Sequence, residues 1–148
     1  MIDQALLLVA LLALSSLGLW VARRRDGRFR PTGAPLASGD VPRLTPADLG
    51  SPLDHRATFV LLSSEACSTC PQVRRVLAAI AADEPDLDVR ELAAQDHLDL
   101  VRRLDVLRTP TVLLLDATGR VRSRTSGPLR PEQARAALTD VLPTPARS

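Results

Sequence analysis

The chain has two cysteines, and they stand two residues apart in Cys67-Ser68-Thr69-Cys70. A thiolate is a strong nucleophile, and two thiols at this spacing can close a disulfide with each other. The pair follows an apolar run, Thr58-Phe59-Val60-Leu61-Leu62-Ser63, that reads as a strand. It precedes Val73–Ala82, whose apolar spacing reads as a helix. At a helix N-terminus the dipole and the unpaired N–H groups favour an anion, so the first thiol ionises readily and becomes a nucleophile. A redox role is the reading this context favours. Three others compete with it. A zinc site needs four ligands, and the other candidates, His55 and His97, form no histidine pair of the usual spacing. A structural staple gains little here, since loop-closure stabilisation is smallest for so short a loop. The last alternative is a pair of inert thiols.

The 148 residues leave room for one domain of about 100 residues with attachments. All nineteen basic residues are arginine. The net charge of +2 lies in the first forty residues, where Arg23, Arg24, Arg25, Arg28 and Arg30 face Asp3, Asp26 and Asp40. The remainder is neutral and shows no polyanion-binding face. Aromatic residues are limited to Trp20, Phe29 and Phe59, too few for base stacking. Nucleic acid is therefore not an expected partner. No cofactor or metal is expected, and the chain is expected to be a monomer.

Residues 5–22 are an uncharged apolar run. As a helix they would span roughly 27 Å, enough for a bilayer core, with Trp20 near one interface. A cleaved signal peptide would want basic residues before this run and a small-x-small site after it. Met1-Ile2-Asp3-Gln4 has no basic residue, and Val21-Ala22-Arg23 is a poor cleavage site. One uncleaved transmembrane helix is expected, giving a single-pass protein of the cell membrane. The Arg23–Arg25 cluster places the following domain on the cytoplasmic face by the positive-inside rule, with an extracytoplasmic domain as the alternative. Residues 1–4 form a short tail and 23–40 an Arg/Gly/Pro-rich juxtamembrane linker.

The folded domain is expected over 41–142, with a flexible tail over 143–148. Val41–Leu44 reads as an edge strand, and Thr45-Pro46 opens a short helix that Gly50 and Pro52 end. Thr58–Ser63 is a buried strand, 68–83 a long helix and Leu87–Leu92 a further strand. Asp96–Leu104 is a helix with Leu98, Val101 and Leu104 inward. Thr111–Leu115 and Arg120–Thr125 form a hairpin, and Pro131–Leu142 a final helix. Alternating strands and helices of this kind imply an α/β sheet covered on both faces.

This order of elements, the Cys-x-x-Cys at the strand-to-helix junction and the later Arg108-Thr109-Pro110-Thr111 resemble the thioredoxin family over roughly residues 41–142. The resemblance implies a central mixed sheet with helices on both faces. It implies a cis Thr109-Pro110 bond facing the cysteines, with Gly127 beside the substrate groove. It makes Cys67 the attacking thiolate and Cys70 the thiol that resolves the mixed disulfide, shielded one turn into the helix. The partners it implies are disulfide-containing proteins and an upstream thiol electron donor.

The chain also departs from the family. Ala66 replaces a tryptophan before the first cysteine, Ser68-Thr69 replaces Gly-Pro, and Leu61 stands where the family has a buried aspartate that accepts a proton. Glu91 in the neighbouring strand is a candidate substitute. Period-2 alternation would turn it under the site, where burial would raise its pKa for accepting a proton from Cys70. The alternative for Glu91 is a solvated strand-end residue. Arg108, if near Cys67, would stabilise the thiolate; otherwise it is a solvated cation. Glu65, His55 and His97 read as surface residues. The expected function is membrane-anchored thiol–disulfide exchange, in the direction of protein-disulfide reduction. A binding module of the same fold, redox-inert or redox-sensing, is the alternative.

Overall fold

The computed structural model describes residues 11–18, 30–31 and 41–142. Within the apolar run, residues 11–18 are helical and expose Leu11, Leu12, Leu14 and Leu17. The rest of that run, most of the expected linker and the tail lie outside the described residues. Among the described residues no helix is long and apolar enough to cross a membrane.

The elements in chain order are β1 (Arg30–Pro31), α1 (Pro46–Leu49), β2 (Ala57–Ser63), α2 (Cys70–Asp83), β3 (Leu87–Ala93), α3 (Leu98–Arg103), β4 (Thr111–Asp116), β5 (Val121–Ser126) and α4 (Pro131–Thr139). They build one sheet of order β1-β5-β4-β2-β3. β2 pairs in parallel with β3 and antiparallel with β4; β5 is antiparallel to both β4 and β1. β2 is central, and all seven of its residues are buried. A strand with neighbours on both edges and helices on both faces reads as a continuous apolar run, which is why its pattern shows no alternation.

Each face of the sheet has its own core. Phe59 and Leu61 of β2 with Val112 and Leu114 of β4 pack against Val73, Leu77 and Ile80 of α2 and against Ala134 and Leu138 of α4. Val60 and Leu62 with Leu113 and Leu115 pack on the other face against Leu49 of α1 and Leu100 of α3. The cysteine helix is thus clamped along three buried turns. Burying a leucine or isoleucine side chain contributes about 1.5–3 kcal/mol, so the helix tip is set by the core beneath it.

Several boundaries differ from the sequence reading. Val41–Leu44 is not a strand: Arg43 forms an isolated bridge with Arg120, while the Leu44 N–H donates to Gly119 O and Pro42 O accepts from the Val121 N–H. Pro42 has no N–H with which to extend a ladder. Two residues of the stretch read as linker, Arg30–Pro31, pair with Arg124 and Ser123 of β5. The expected helix over 96–104 divides into a 3₁₀ turn, Ala94–Asp96, and α3. Leu100 and Leu104 set the phase of α3, which turns Leu98 out to 54% exposure. α4 ends at Thr139, although Val141 and Leu142 still pack on the core.

Turn chemistry is where the sequence reads best. Thr45 and Asp48 form a reciprocal capping box at α1, and Gly50 closes it with φ +67°. The β4–β5 turn is organised by the Asp116 carboxylate, which accepts from the N–H groups of Thr118 and Arg120. Gly119 completes it with φ +79°, and a Cβ there would lie 2.2 Å from Leu44 O. No residue but glycine fits. Beyond α3, Arg124 donates to the carbonyls of Leu104 and Asp105, tying the chain that leads into Arg108-Thr109-Pro110 to the sheet.

Candidate active site at the Cys67–Cys70 pair

β2 delivers its chain to a loop, Ser64–Thr69, and then to α2. Cys67 N–H donates to Ser64 O and Cys70 N–H donates to Cys67 O, which folds the loop into two successive tight turns. Thr69 is the N-cap residue, yet its side chain makes no capping bond. Its hydroxyl lies instead 3.9 Å from the Cys67 sulfur. Helix α2 therefore begins with its positive end unshielded by a side-chain cap, two residues from Cys67. Aligned peptide dipoles place roughly half a positive charge there, which favours a thiolate.

Cys70 is the first residue of α2, not one turn inside it as the sequence reading has it. It is nonetheless the shielded partner, 2% exposed on the side of the core, whereas Cys67 is half-buried. The helix starts two residues later than the apolar pattern suggests because Ser68 and Thr69 are taken up by the turn. The two sulfurs are joined as a disulfide with Cα atoms 5.5 Å apart.

The Thr109-Pro110 peptide bond is cis. Thr111 at the start of β4 pairs with Leu62 near the end of β2, so the segment before Thr111 lies beside the segment after Ser63. The side chains join them: Ser64 Oγ and Thr109 Oγ1 are 2.8 Å apart. On the far side the Gly127 N–H donates to Pro110 O at 2.8 Å, with Gly127 at φ +91°. The Thr111 hydroxyl donates to Arg108 O and lies 2.8 Å from Ser126 Oγ. Cys67, Cys70, Thr109, Pro110 and Gly127 thus gather at one end of the sheet. Arg108 lies in the same loop with an exposed side chain.

Glu91 is engaged by a residue of the cysteine helix, Arg74, and not in the way a proton acceptor for Cys70 requires. The alternation places it correctly, on the α2 side of the sheet and opposite Leu61. But β3 is the edge strand, and the glutamate side chain is only partly buried. Arg74 of α2 claims it through two hydrogen bonds, at 2.5 and 2.6 Å. The Arg74 hydrogen bond holds the Glu91 carboxyl below its ordinary value, partial burial opposes this, and the Ser63 hydroxyl assists it. A proton acceptor for a thiol needs a raised pKa, and Glu91 has a lowered one. Among the described residues the buried polar side chains are Thr58, Ser63, Thr111, Ser123 and Thr125, with no carboxylate.

Ser64 is a contributor that motif reading does not flag. Its signal is indirect: a hydroxyl three residues before Cys67, a threonine before the proline, and a strand register that brings the two together. Among the described residues no cluster of histidine, cysteine and acidic side chains could hold a metal ion.

No family model and no curated protein matches the sequence. Solved structures do match the fold. An oxidised mitochondrial thioredoxin 3 from Saccharomyces cerevisiae superposes with a TM-score of 0.52 and 16% identity, over 59% of this chain and 80% of that one. A mutant thioredoxin from Halobacterium salinarum gives a TM-score of 0.56 and 15% identity, over 66% of this chain and 82% of that one. A malarial protein gives 0.53 and 13%, over 60% and 99%. The chain has the thioredoxin fold, with a Cys-x-x-Cys pair at the junction of β2 and α2.

Proposed function

We propose that this chain is a thiol–disulfide oxidoreductase of the thioredoxin kind that reduces disulfides of protein partners. The observation that supports it best is the asymmetry of the pair: a half-buried Cys67 before an uncapped helix end, and a buried Cys70 within bonding reach. In the reduced state the Cys67 thiolate attacks one sulfur of a partner disulfide. That bond breaks, the distal sulfur leaves as a thiolate, and a Cys67–partner disulfide forms. The Cys70 thiolate then attacks the Cys67 sulfur and expels the second partner thiolate. Two electrons pass to the partner, its two thiolates take up protons, and Cys67–Cys70 is left oxidised. An upstream dithiol donor must reset it. A polypeptide substrate would lie along Thr109, Pro110 and Gly127, and Arg108 adds positive charge at the edge of that surface.

The domain is held at a membrane by residues 5–22 in this reading. The uncharged run supports this, as do the exposed leucines of helical residues 11–18. The Arg23–Arg25 cluster supports a cytoplasmic face. The full chain in detergent, supplied with dithiothreitol, should accelerate reduction of a disulfide-bonded peptide, and Cys67→Ser should abolish the acceleration. A wild-type rate equal to dithiothreitol alone would overturn the proposal.

A further inference from the structure

We infer that Ser64 is a positioning residue for disulfide substrates, its hydroxyl setting the spacing between the cysteine loop and the cis-proline loop. This rests on the oxidoreductase reading above. The β2–β4 ladder runs as far as Leu62 and Thr111. Past that pair β2 runs one residue further, with Ser63 paired to Ala93 of β3, and the Ser64–Thr109 side-chain bond then joins the two departing chains at 2.8 Å. Ser64 holds both sides at once, because its carbonyl also accepts the Cys67 N–H at 3.1 Å. A displacement of Thr109 is thereby transmitted to the backbone that places the nucleophile. The opposite side of the proline loop is anchored separately, through the Gly127 N–H to Pro110 O. Ser64 couples the loop to the cysteine turn, while Gly127, together with the Thr111–Ser126 hydroxyl pair, couples it to the end of β5.

The chemistry needs that coupling. In-line attack on a disulfide requires the substrate sulfur at a fixed distance from Cys67, and a substrate strand docked on the proline loop inherits that loop's position. A part-buried hydroxyl pair suits the task. Either hydroxyl can donate, so the bond survives rotation of one of them. The same bond gives the Thr109 hydroxyl a fixed partner within the protein.

The test is a double-mutant cycle on the full chain, with initial rates of disulfide-peptide reduction measured against peptide concentration. Ser64→Ala should lower kcat/KM about two- to tenfold, the effect of one hydrogen bond, and chiefly through KM. Ser64→Thr, which retains the hydroxyl, should restore it. Thr109→Val should match Ser64→Ala, and the double variant should be no worse than either. The glutathione equilibrium of the cysteine pair should stay within about twofold of wild type in all of them. An active wild type beside an unaffected Ser64→Ala would overturn this inference alone, as would losses that simply add. A wild type without turnover would overturn the oxidoreductase reading and the role of Ser64 with it.

Discussion

Replacing Glu91 by glutamine separates two accounts of how the second thiol loses its proton. An ordinary glutamate titrates near 4.5, and Arg74 holds Glu91 below that. A thiol titrates near about 8.5, so transfer of its proton to such a carboxylate is uphill by at least about four units, or roughly 10⁴ in equilibrium. A carboxylate that works as a general base typically contributes about 10²–10⁴-fold to rate. Glu91 lies partly buried on an edge strand and is committed to an exposed arginine, so it should contribute nothing on that scale. Glu91→Gln should therefore leave turnover within about twofold of wild type, with an unmoved pH profile. Stopped-flow alkylation and steady-state reduction between pH 5 and 9 would read both quantities. A fall of about a hundredfold, or a displaced pH limb, would refute the reasoning and return Glu91 to the mechanism. Stability gives a second readout with a definite sign. The folded pKa lies below the unfolded one, so the Arg74–Glu91 contribution is present above pH about 4.5 and fades as pH falls through the lower folded value. The stability difference between wild type and Glu91→Gln should accordingly exist at neutral pH and vanish in acid.

Three further perturbations test other links. Cys70→Ser should trap the Cys67–partner disulfide as a stable adduct visible on a non-reducing gel, because no internal thiol remains to resolve it; rapid turnover by this variant would contradict the assigned order of attack. Gly119→Ala combines a positive φ with a Cβ 2.2 Å from Leu44 O, and should cost about 2–4 kcal/mol in urea unfolding while sparing the cysteine chemistry. Leu77→Ala removes a fully buried side chain from beneath the cysteine helix and should cost about 2–5 kcal/mol by the same measurement.

The sequence displays those parts of the site that rest on local chemistry. A Cys-x-x-Cys between an apolar strand and an apolar-periodic helix is visible at once, and Thr109-Pro110 before the second apolar strand marks the proline loop. Capping signals at Thr45-Pro46 and Pro131 place helix starts because the side chains responsible are adjacent in the chain. Glu91 shows where local pattern fails. Period-2 alternation assigns the face of the sheet it occupies, but not that β3 is the edge strand, nor that Arg74 one turn along α2 would reach it. Both depend on strand order, which alternation does not encode. Ser64 is hidden for the same reason: its partner is 45 residues away, and only the β2–β4 register brings them together. Val41–Leu44 and Leu98 differ because Pro42 cannot extend a ladder and because α3 follows the phase of Leu100 and Leu104.

The central claim is that Cys67 and Cys70 cycle as one two-electron couple, and a glutathione redox titration of the full chain, followed by alkylation of both thiols, tests it most directly. The account predicts a single two-electron transition on the reducing side, nearer about −270 mV than about −120 mV. No transition, or separate glutathionylation of each thiol, would contradict it and leave a thioredoxin-fold binding module whose cysteines do not turn over.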